Sequence, residues 1–421
     1  MTSPNNIVTL ATTISKTTAT INAYLTAHGL PIPSFDVSGP SRFSIPPEEK
    51  EVVKAHAELL RATMELHNLM LGPTAMLMGI SPMDNLSLHC IYAFKMAHTF
   101  PVASEASFED ISAACGLNVI DTRRILRHAM TNHIFQEVRP GTVVHTAASK
   151  LLATDPLVSD FVGIGCEERF QAATYTVEAL KRFGYAEEPN QSGFSLGHQT
   201  TRGLYDELRA NPTRGERWAN AMSIYASRIP LSPLIDSYDW ANLSSAKILD
   251  VGGGYGPVSI GLAKAFPSLA FVVQDFADVI EDGPSHVPAE TSSRITFMAY
   301  DMLTPQTVRD ADVVFFRAVL HNWTDHYCLK ILRNQIPALK KGSRLVIVEP
   351  QLPEPGKLSW HAEKRLRTMD LNMLSYFGSR ERSVADWEDI FKRADERFVL
   401  KKAVDLADGL NCIMEVLWNE E

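Results

Sequence analysis

The stretch AKILDVGGGYG at residues 246–256 decides the fold, and PVSIGLAKAF follows it directly at residues 257–266. The first half is a run of apolar residues typical of a buried strand, and the second stretch has the composition of a short helix. The glycines between them favour a tight turn, because glycine accepts positive φ and lets a ligand approach the backbone closely. We therefore predict a strand–turn–helix unit with a ligand at its turn.

Further apolar segments follow this unit and alternate with helical ones. They are LAFVVQD (269–275), RITFMAYD (294–301), DVVFFRAVL (312–320) and SRLVIVEP (343–350), with a helix predicted over 328–339. Strands so uniformly apolar are buried on both faces, as in a parallel sheet covered by helices. We predict a Rossmann-like, doubly wound α/β domain over residues 236–421, whose ligands lie beyond the carboxyl ends of the strands.

Residues 1–235 have a different, mainly helical pattern. Apolar residues recur at spacings of three and four over 50–72, up to Gly72-Pro73, and a second amphipathic helix is predicted over 84–98. A compact unit then runs helix, helix, β-ribbon: residues 107–116, residues 121–132, and the strand segments 134–138 and 142–146. This order predicts a winged helix within a separate N-terminal domain.

The winged helix leaves two interpretations open, because Arg123, Arg124 and Arg127 lie on its second helix. These arginines either contact DNA or form a solvated face on a module used for packing or dimerisation. The net charge of −9 disfavours nucleic acid as the main partner, since binding to phosphates needs clustered cations.

The composition is that of an ordinary globular protein, with 45% apolar and 21% charged residues over 421 positions, enough for two domains. Residues 1–25 lack the basic start and unbroken apolar run of a signal peptide, and no apolar window is long enough to span a membrane. The five cysteines are widely spaced and form no CxxC or Cys/His pattern. We expect reduced thiols in a cytoplasmic protein, with no metal site and no membrane partner.

Acidic residues at successive strand ends indicate the kind of ligand. Asp275 ends the second strand, where a carboxylate can bind both hydroxyls of a ribose. Asp301 and Met302 follow the third strand, where the carboxylate can bind an adenine amine and the methionine can form an apolar wall. The glycines do not have the GxGxxG spacing, and Asp250 before them would repel a pyrophosphate but attract an ammonium or sulfonium. These features favour S-adenosylmethionine (SAM) over a dinucleotide as the ligand. The structural alternative is a tight turn between strand and helix that binds no ligand.

Taken in order, the motifs resemble one family over nearly the whole chain. They are DVGGGYG, VVQD, YDM, FFRAVLHNWTDHYCLKILRNQIPAL, IVE, MDLNML and GSRERS, preceded by HTAASKLLA and by the pair Ala221-Met222. The run is similar to the SAM-dependent small-molecule O-methyltransferases of the caffeic acid type, particularly their fungal members. The resemblance implies methyl transfer to a hydroxyl group of a small molecule, in secondary metabolism.

The resemblance also implies roles for individual residues. His321 matches the family's general base, and Glu349 and Glu381 match the two acids that flank it. The residues implied to hold SAM are Asp250, Gly252, Gly254, Asp275, Asp301, Met302 and Arg317, the last standing where many plant relatives carry a lysine. The chain departs from plant relatives at Asn322, where they often have Asp, and in a loop over 373–381 that is one residue shorter.

The chemistry of methylation suits these residue types. A phenol with a pKa near 10 is a poor nucleophile at neutral pH, and a histidine with a pKa near 6.5 can take its proton during attack. A carboxylate beside the imidazole fixes its tautomer and stabilises the imidazolium. In-line positioning of acceptor and methyl donor supplies most of the lowering of the barrier.

Apolar side chains suited to an acceptor pocket are also present, although the same spacing occurs in plain core. They are Phe170, Trp218, Met222, Met369 and Met373.

The resemblance implies that residues 1–235 form a dimerisation and substrate-lid domain, so we expect a homodimer. Two other functions stay open. One is a pericyclase or dehydratase of this fold that uses the sulfonium of SAM as a fixed charge. The other is a SAM-sensing regulator that binds DNA through the winged helix.

Overall fold

The computed structural model describes residues 7–43, 45–46, 48–227, 231–406 and 409–420. These residues form two compact units, one of residues 1–167 with 217–224 and the other of residues 168–216 with 225–421. The boundary predicted at residue 235 therefore does not coincide with the division into compact units. In the described ranges no helix is both long and apolar enough to cross a lipid bilayer.

The first unit is mainly helical. Its helices are α1 (Ile7–Ala27), α2 (Lys50–Met78), α3 (Met83–Ala93), α4 (Phe108–Cys115), α5 (Val119–Thr131), α6 (Ala147–Thr154) and α7 (Pro156–Ile164). Helices α1 and α2 pack together through a cluster that includes Leu25 and Val52. The helix predicted over 50–72 is interrupted where expected, because Gly72 has φ 71° and ψ 167° and the helix resumes from Pro73.

A small sheet accompanies α4 and α5. Its strands are β1 (Glu105–Ser107), β2 (Gln136–Arg139) and β3 (Thr142–Val144), in the antiparallel order β1-β3-β2. Ser107 and Asp110 form a capping box at the start of α4, which fixes where that helix begins. The two helices and the ribbon predicted here are confirmed, β1 was not predicted, and the assignment as a winged helix stays a prediction.

The second unit contains the remaining helices and the main sheet. Its helices are α8 (Phe170–Phe183), α9 (Gly193–Gly197), α10 (Leu204–Ala210), α12 (Ser232–Ser237), α13 (Pro257–Ala265), α14 (Ala277–Ile280), α15 (Asp325–Gln335), α16 (Trp360–Phe377) and α17 (Val384–Ala394), while α11 (Pro212–Ser227) includes residues of both units. Its strands are β4 (Lys247–Val251), β5 (Ala270–Asp275), β6 (Ile295–Ala299), β7 (Ala311–Arg317), β8 (Leu339–Pro350), β9 (Phe398–Asp405) and β10 (Asn411–Trp418).

The seven strands of this sheet run in the order β6-β5-β4-β7-β8-β10-β9. Strands β4 to β8 are parallel, and β10 is antiparallel to both of its neighbours. The chain leaves β4 toward β5 on one side and later returns to β7 on the other, which creates the crevice where ligands bind in doubly wound sheets. The predicted Rossmann-like fold is confirmed, whereas β9 and β10 were not predicted.

Both faces of the sheet are covered, as the apolar strands predicted. Leu249 and Val314 pack into one buried cluster, and their chain neighbours Ile248 and Val313 pack into another. Adjacent residues of a strand point to opposite faces, so each strand contributes to two apolar layers.

Residues 168–216 belong with the sheet because their side chains contact α16. The hydroxyl of Thr176 on α8 donates to that of Ser375 at 3.0 Å, and the ring of Tyr205 on α10 stacks on Phe377 with centroids 5.3 Å apart. These contacts explain why the compact unit begins well before the predicted boundary.

Candidate active site

The glycine turn after β4 has the backbone geometry that its sequence predicts. Gly252 and Gly254 have φ of 76° and 56°, and the Gly252 amide donates to the carbonyl of Gln274 at 2.7 Å. A Cβ atom on Gly252 would lie 2.8 Å from Cγ2 of Val319, whereas one on Gly254 would meet no atom within 4 Å. The turn is therefore closely packed at Gly252 and open at Gly254.

Asp250 is buried beneath this turn. Its Oδ2 accepts a hydrogen bond of 2.6 Å from the hydroxyl of Ser259 on α13. Burial raises the pKa of Asp250 to about 6, against the opposing effects of the Ser259 hydrogen bond and the charge of Arg317 at the end of β7. Asp250 and Arg317, two of the predicted cofactor residues, thus interact electrostatically at the carboxyl ends of the adjacent strands β4 and β7.

The Asp275 carboxylate faces the open part of the turn. Its Oδ2 accepts from the Gly254 amide at 3.0 Å and its Oδ1 from the Phe276 amide at 2.8 Å. Burial raises the pKa of this carboxyl, and the two backbone hydrogen bonds act in the opposite direction. Each oxygen keeps further lone pairs, so the carboxylate can still accept two hydroxyl groups.

The end of β6 joins the same region. The amide of Tyr300 donates to the carbonyl of Asp275 at 2.9 Å, which places Asp301 and Met302 next to the turn. Cε of Met302 lies 3.5 Å from the Cβ position of Gly252. A nucleoside with a cationic side chain requires carboxylates for its hydroxyl and amino groups, an apolar wall for its base and room at the backbone. Asp275 and Asp301, Met302 and Gly254 offer these features, so the residues fit SAM.

His321 lies in a 3₁₀ turn, Leu320–Asn322, directly after β7. Its Nδ1 is 2.9 Å from Oε1 of the fully buried Glu381, which precedes α17. Its Nε2 makes no hydrogen bond to any residue in the described ranges, and the side chain is 10% exposed to solvent. Burial alone would lower the pKa of His321, but the charges of Glu381 and Glu349 raise it to about 9.

Glu349, near the end of β8, acts on the backbone before the histidine. Its Oε1 accepts from the amides of Val319 and Leu320 at 3.0 and 2.7 Å, and Oε2 has no hydrogen-bond partner among the described residues. Burial raises the pKa of Glu349, while the neighbouring His321 lowers it. Both predicted acids therefore lie at the histidine, but only Glu381 is hydrogen-bonded to its ring.

Three residues of this region were not predicted. Asp370 accepts the Glu381 amide at 2.9 Å, and the Ser379 hydroxyl donates to the His321 carbonyl at 2.6 Å. Tyr205 on α10 is the third: burial raises the pKa of its phenol, and the charges of Asp275 and Glu349 add to the rise. Asp370 lies within the MDLNML motif and Ser379 within GSRERS, whereas no motif marks Tyr205.

The five predicted acceptor contacts divide between the units. Phe170, Met369 and Met373 are partly buried in the second unit, on α8 and α16. Trp218 and Met222 lie on the part of α11 that clusters with the first unit. Their role in an acceptor pocket stays a prediction.

The arginines of α5 all have acidic partners. Arg127 forms two hydrogen bonds of 2.9 Å with Glu137, Arg123 pairs with Glu109 at 2.9 Å, and Arg124 lies 3.4 Å from Asp121. These acids lie on α4, α5 and β2. The positive charge of this helix is thus offset within its own unit.

Comparison with known proteins identifies relatives over the full length. A family model described as an O-methyltransferase domain matches residues 185–396. An O-methyltransferase of Aspergillus violaceofuscus, pyvH, is 38% identical over 98% of this chain and 99% of its own length. The chlorophenol O-methyltransferase of Trichoderma longibrachiatum is 32% identical over 99% of this chain and 91% of its own.

Solved structures share the fold at lower identity. OxaC in complex with S-adenosylhomocysteine and oxaline superposes with a TM-score of 0.75 at 21% identity, covering 97% of this chain and all of that one. A protein described as a pericyclic reaction enzyme gives a TM-score of 0.70 at 22% identity, covering 89% of this chain and all of that one.

Proposed function

Because the chain belongs to the family of SAM-dependent O-methyltransferases, we propose that it methylates a phenolic hydroxyl of a small-molecule secondary metabolite, with His321 as the general base. The observation that supports this most directly is the pairing of His321 Nδ1 with Glu381, which leaves Nε2 available. The cofactor supplies the methyl group, and the protein supplies position and a proton acceptor.

The hydrogen bond to Glu381 decides which ring nitrogen acts as the base. With the proton on Nδ1 donated to the carboxylate, the lone pair of Nε2 can take the proton of an acceptor hydroxyl. The imidazolium that forms is stabilised by Glu381 and by the charge of Glu349, as the raised pKa of His321 indicates. A base with a pKa of about 9 is well matched to a phenol near 10.

The cofactor residues have separate roles in this proposal. Asp275 binds the ribose hydroxyls, Asp301 the adenine amine, and Met302 covers the ring. The open position at Gly254 admits the cofactor, and Asp250 with Gly252 shapes the turn beneath it. The support is their convergence at one edge of the sheet, where the Asp275 carboxylate accepts from the Gly254 amide and the Tyr300 amide bonds to the Asp275 carbonyl.

A phenolic acceptor is favoured by one relative, which is named a chlorophenol O-methyltransferase. We assign the acceptor pocket to the predicted apolar residues of the second unit, Phe170, Met369 and Met373. Met373 is the first choice, because it lies on α16 between Asp370 and Ser379 in the sequence. Asp370 on α16 accepts from the Glu381 amide, and Ser379, which lies just after the helix, donates to the His321 carbonyl.

A pericyclic or dehydration reaction is the second candidate, because one structure of this fold is described as a pericyclic reaction enzyme. The paired His321 and Glu381 favour methyl transfer, since a fixed sulfonium charge needs no base. A DNA-binding role is disfavoured by the salt bridges of Arg123, Arg124 and Arg127.

We also infer a homodimer formed through the first unit. Exposed apolar side chains are concentrated at the end of α2 and just after it, including Leu77, Met78 and Ile80, which are 73%, 82% and 80% exposed. Contiguous apolar surface of this kind marks an interface between proteins.

The test is incubation of the purified enzyme with methyl-labelled SAM and a panel of hydroxylated aromatic compounds. We expect one labelled product that is heavier by a single methyl group, and its loss in His321→Ala. A product of unchanged composition, formed with SAM present but not consumed, would instead support the pericyclic alternative.

A further inference from the structure

Asp325, the first residue of α15, forms ion pairs with arginines on both sides of Glu381. Its Oδ1 accepts from Nε and an Nη of Arg382 at 2.9 and 2.7 Å, and its Oδ2 accepts from Arg380 at 3.1 Å. Asp325 therefore binds the two chain neighbours of the acid that contacts His321.

The Arg382 guanidinium is completely buried and joins the same two segments. It donates to the carbonyl of Trp323 at 2.8 Å and to that of Arg380 at 3.2 Å, and it lies over the ring of Trp387 at 4.8 Å. Trp323 is two residues after His321, so the segment carrying the base and the segment carrying its acid meet at one arginine.

Stability alone accounts poorly for such an arrangement. Burying an arginine and its carboxylate partner carries a desolvation penalty that commonly matches or exceeds the attraction between them, and apolar replacements are often as stable. The specific gain from this pair is geometric: it holds two segments whose contacting residues, His321 and Glu381, are separated by 60 positions in the chain.

We propose that Asp325 and Arg382 form a positioning pair that sets the distance and orientation between His321 and Glu381 for the methyl transfer. Neither residue touches the reacting atoms in this proposal; both act through the two loops. The inference rests on the proposed function of His321 as the base.

The pair also belongs to the charges that surround the imidazole. Glu381 and Glu349 favour the protonated ring, and Arg382 opposes them. Removing the charge of Asp325 leaves the positive charge of Arg382 unbalanced next to the ring, so the proton affinity of His321 should fall in the variant.

The experiment compares Asp325→Asn with wild-type enzyme in kcat, KM for SAM and the pH dependence of kcat/KM. We expect kcat to fall about tenfold to a hundredfold, the scale of a small misplacement in an active site. KM for SAM should stay within about twofold, since Asp325 contacts none of the cofactor residues, and the pH midpoint should move to lower pH. Arg382→Lys, which keeps the charge but loses the paired geometry, should lower kcat without that pH shift.

Glu415→Gln is the matched control, because Glu415 forms a part-buried ion pair with Arg344 at 3.2 Å in the same unit and contacts no site residue. It should lower thermal stability while leaving kcat and the pH midpoint unchanged. Wild-type kcat in Asp325→Asn, or a loss no larger than in Glu415→Gln at equal stability, would overturn the positioning role. His321→Ala is measured in parallel: if it retains turnover, the proposed base is wrong, whereas an inactive His321→Ala with a fully active Asp325→Asn rejects only the pair.

Discussion

The Nδ1 atom of His321 lies 2.9 Å from Oε1 of Glu381, and the carboxylate is fully buried where it makes this contact. A buried carboxylate next to an imidazole both orients the ring and favours its protonated form. The pairing leads to two separate expectations, one for the rate and one for its pH dependence.

Replacing His321 by Ala should slow methylation by about 10²- to 10⁴-fold, the usual contribution of a general base. SAM binding should change little, because the ring has no hydrogen bond to Asp250, Asp275 or Asp301. Single-turnover kinetics with calorimetric titration of SAM would measure both quantities. Wild-type turnover in the variant would show that the histidine is structural.

The rate should depend on pH through the same histidine. Only the neutral imidazole accepts a proton, and the pKa of His321 is raised from 6.5 to about 9, so kcat/KM should rise as pH increases toward about 9. In Glu381→Gln the carboxylate charge is lost, so the midpoint should move down by about 1–3 units. A midpoint that stays in place in this variant would exclude Glu381 as the source of the shift.

Asp275→Asn should weaken SAM binding by about 1.5–3 kcal/mol, the value of a hydrogen bond to a charged group. Asp278→Asn is the control, because Asp278 is an exposed acid three residues away that affects Asp275 only through its charge. Titration calorimetry should show a loss of roughly tenfold or more in the first variant and little change in the second. Equal affinities would remove Asp275 from the cofactor site.

The two glycines of the turn should respond differently to alanine. Both have positive φ, which costs about 1–2 kcal/mol for a residue with a Cβ, but only Gly252→Ala adds a contact of 2.8 Å with Val319. Gly252→Ala should therefore lower the melting temperature more. Gly254→Ala should mainly weaken SAM binding, since its methyl group enters the open space of the turn. Equal melting temperatures would contradict the packing at Gly252.

Light scattering at micromolar concentration should give twice the mass of the chain. Obligate interfaces bury on the order of 2,000 Å² or more, so a dimer of this kind persists on dilution. Changing both Leu77 and Met78 to Asp should produce monomers, whereas Val177→Asp, at an apolar position of the second unit that is 61% exposed, should not. A monomeric wild-type protein would reject the interface.

The parallel part of the sheet could be predicted because its strands are long apolar runs ending at glycine or acidic residues. Strands β9 and β10 were not predicted. The second half of β9, KKAVD (401–405), is mostly exposed and carries three charged residues, and buried and half-buried positions alternate only in part along β10. His321, Glu349 and Glu381 lie within recognisable motifs, and the structure brings them together. Tyr205 could not be found, because α10 reaches Asp275 and Glu349 only through tertiary packing. Arg123 and Arg127 of α5 likewise depend on partners in other elements, Glu109 and Glu137, which no local pattern identifies.

The place of β10 has a consequence for synthesis on the ribosome. Strand β10 lies between β8 and β9, and Cys412 pairs with Glu349 across that junction. Until residues 411–418 emerge, the nascent chain holds β8 with one edge unpaired, and open apolar edges invite association between chains. Expression at low temperature or with a chaperone that shields strand edges should therefore raise the yield of active enzyme, and a nonsense mutation before residue 411 should give aggregates instead of a partly active protein.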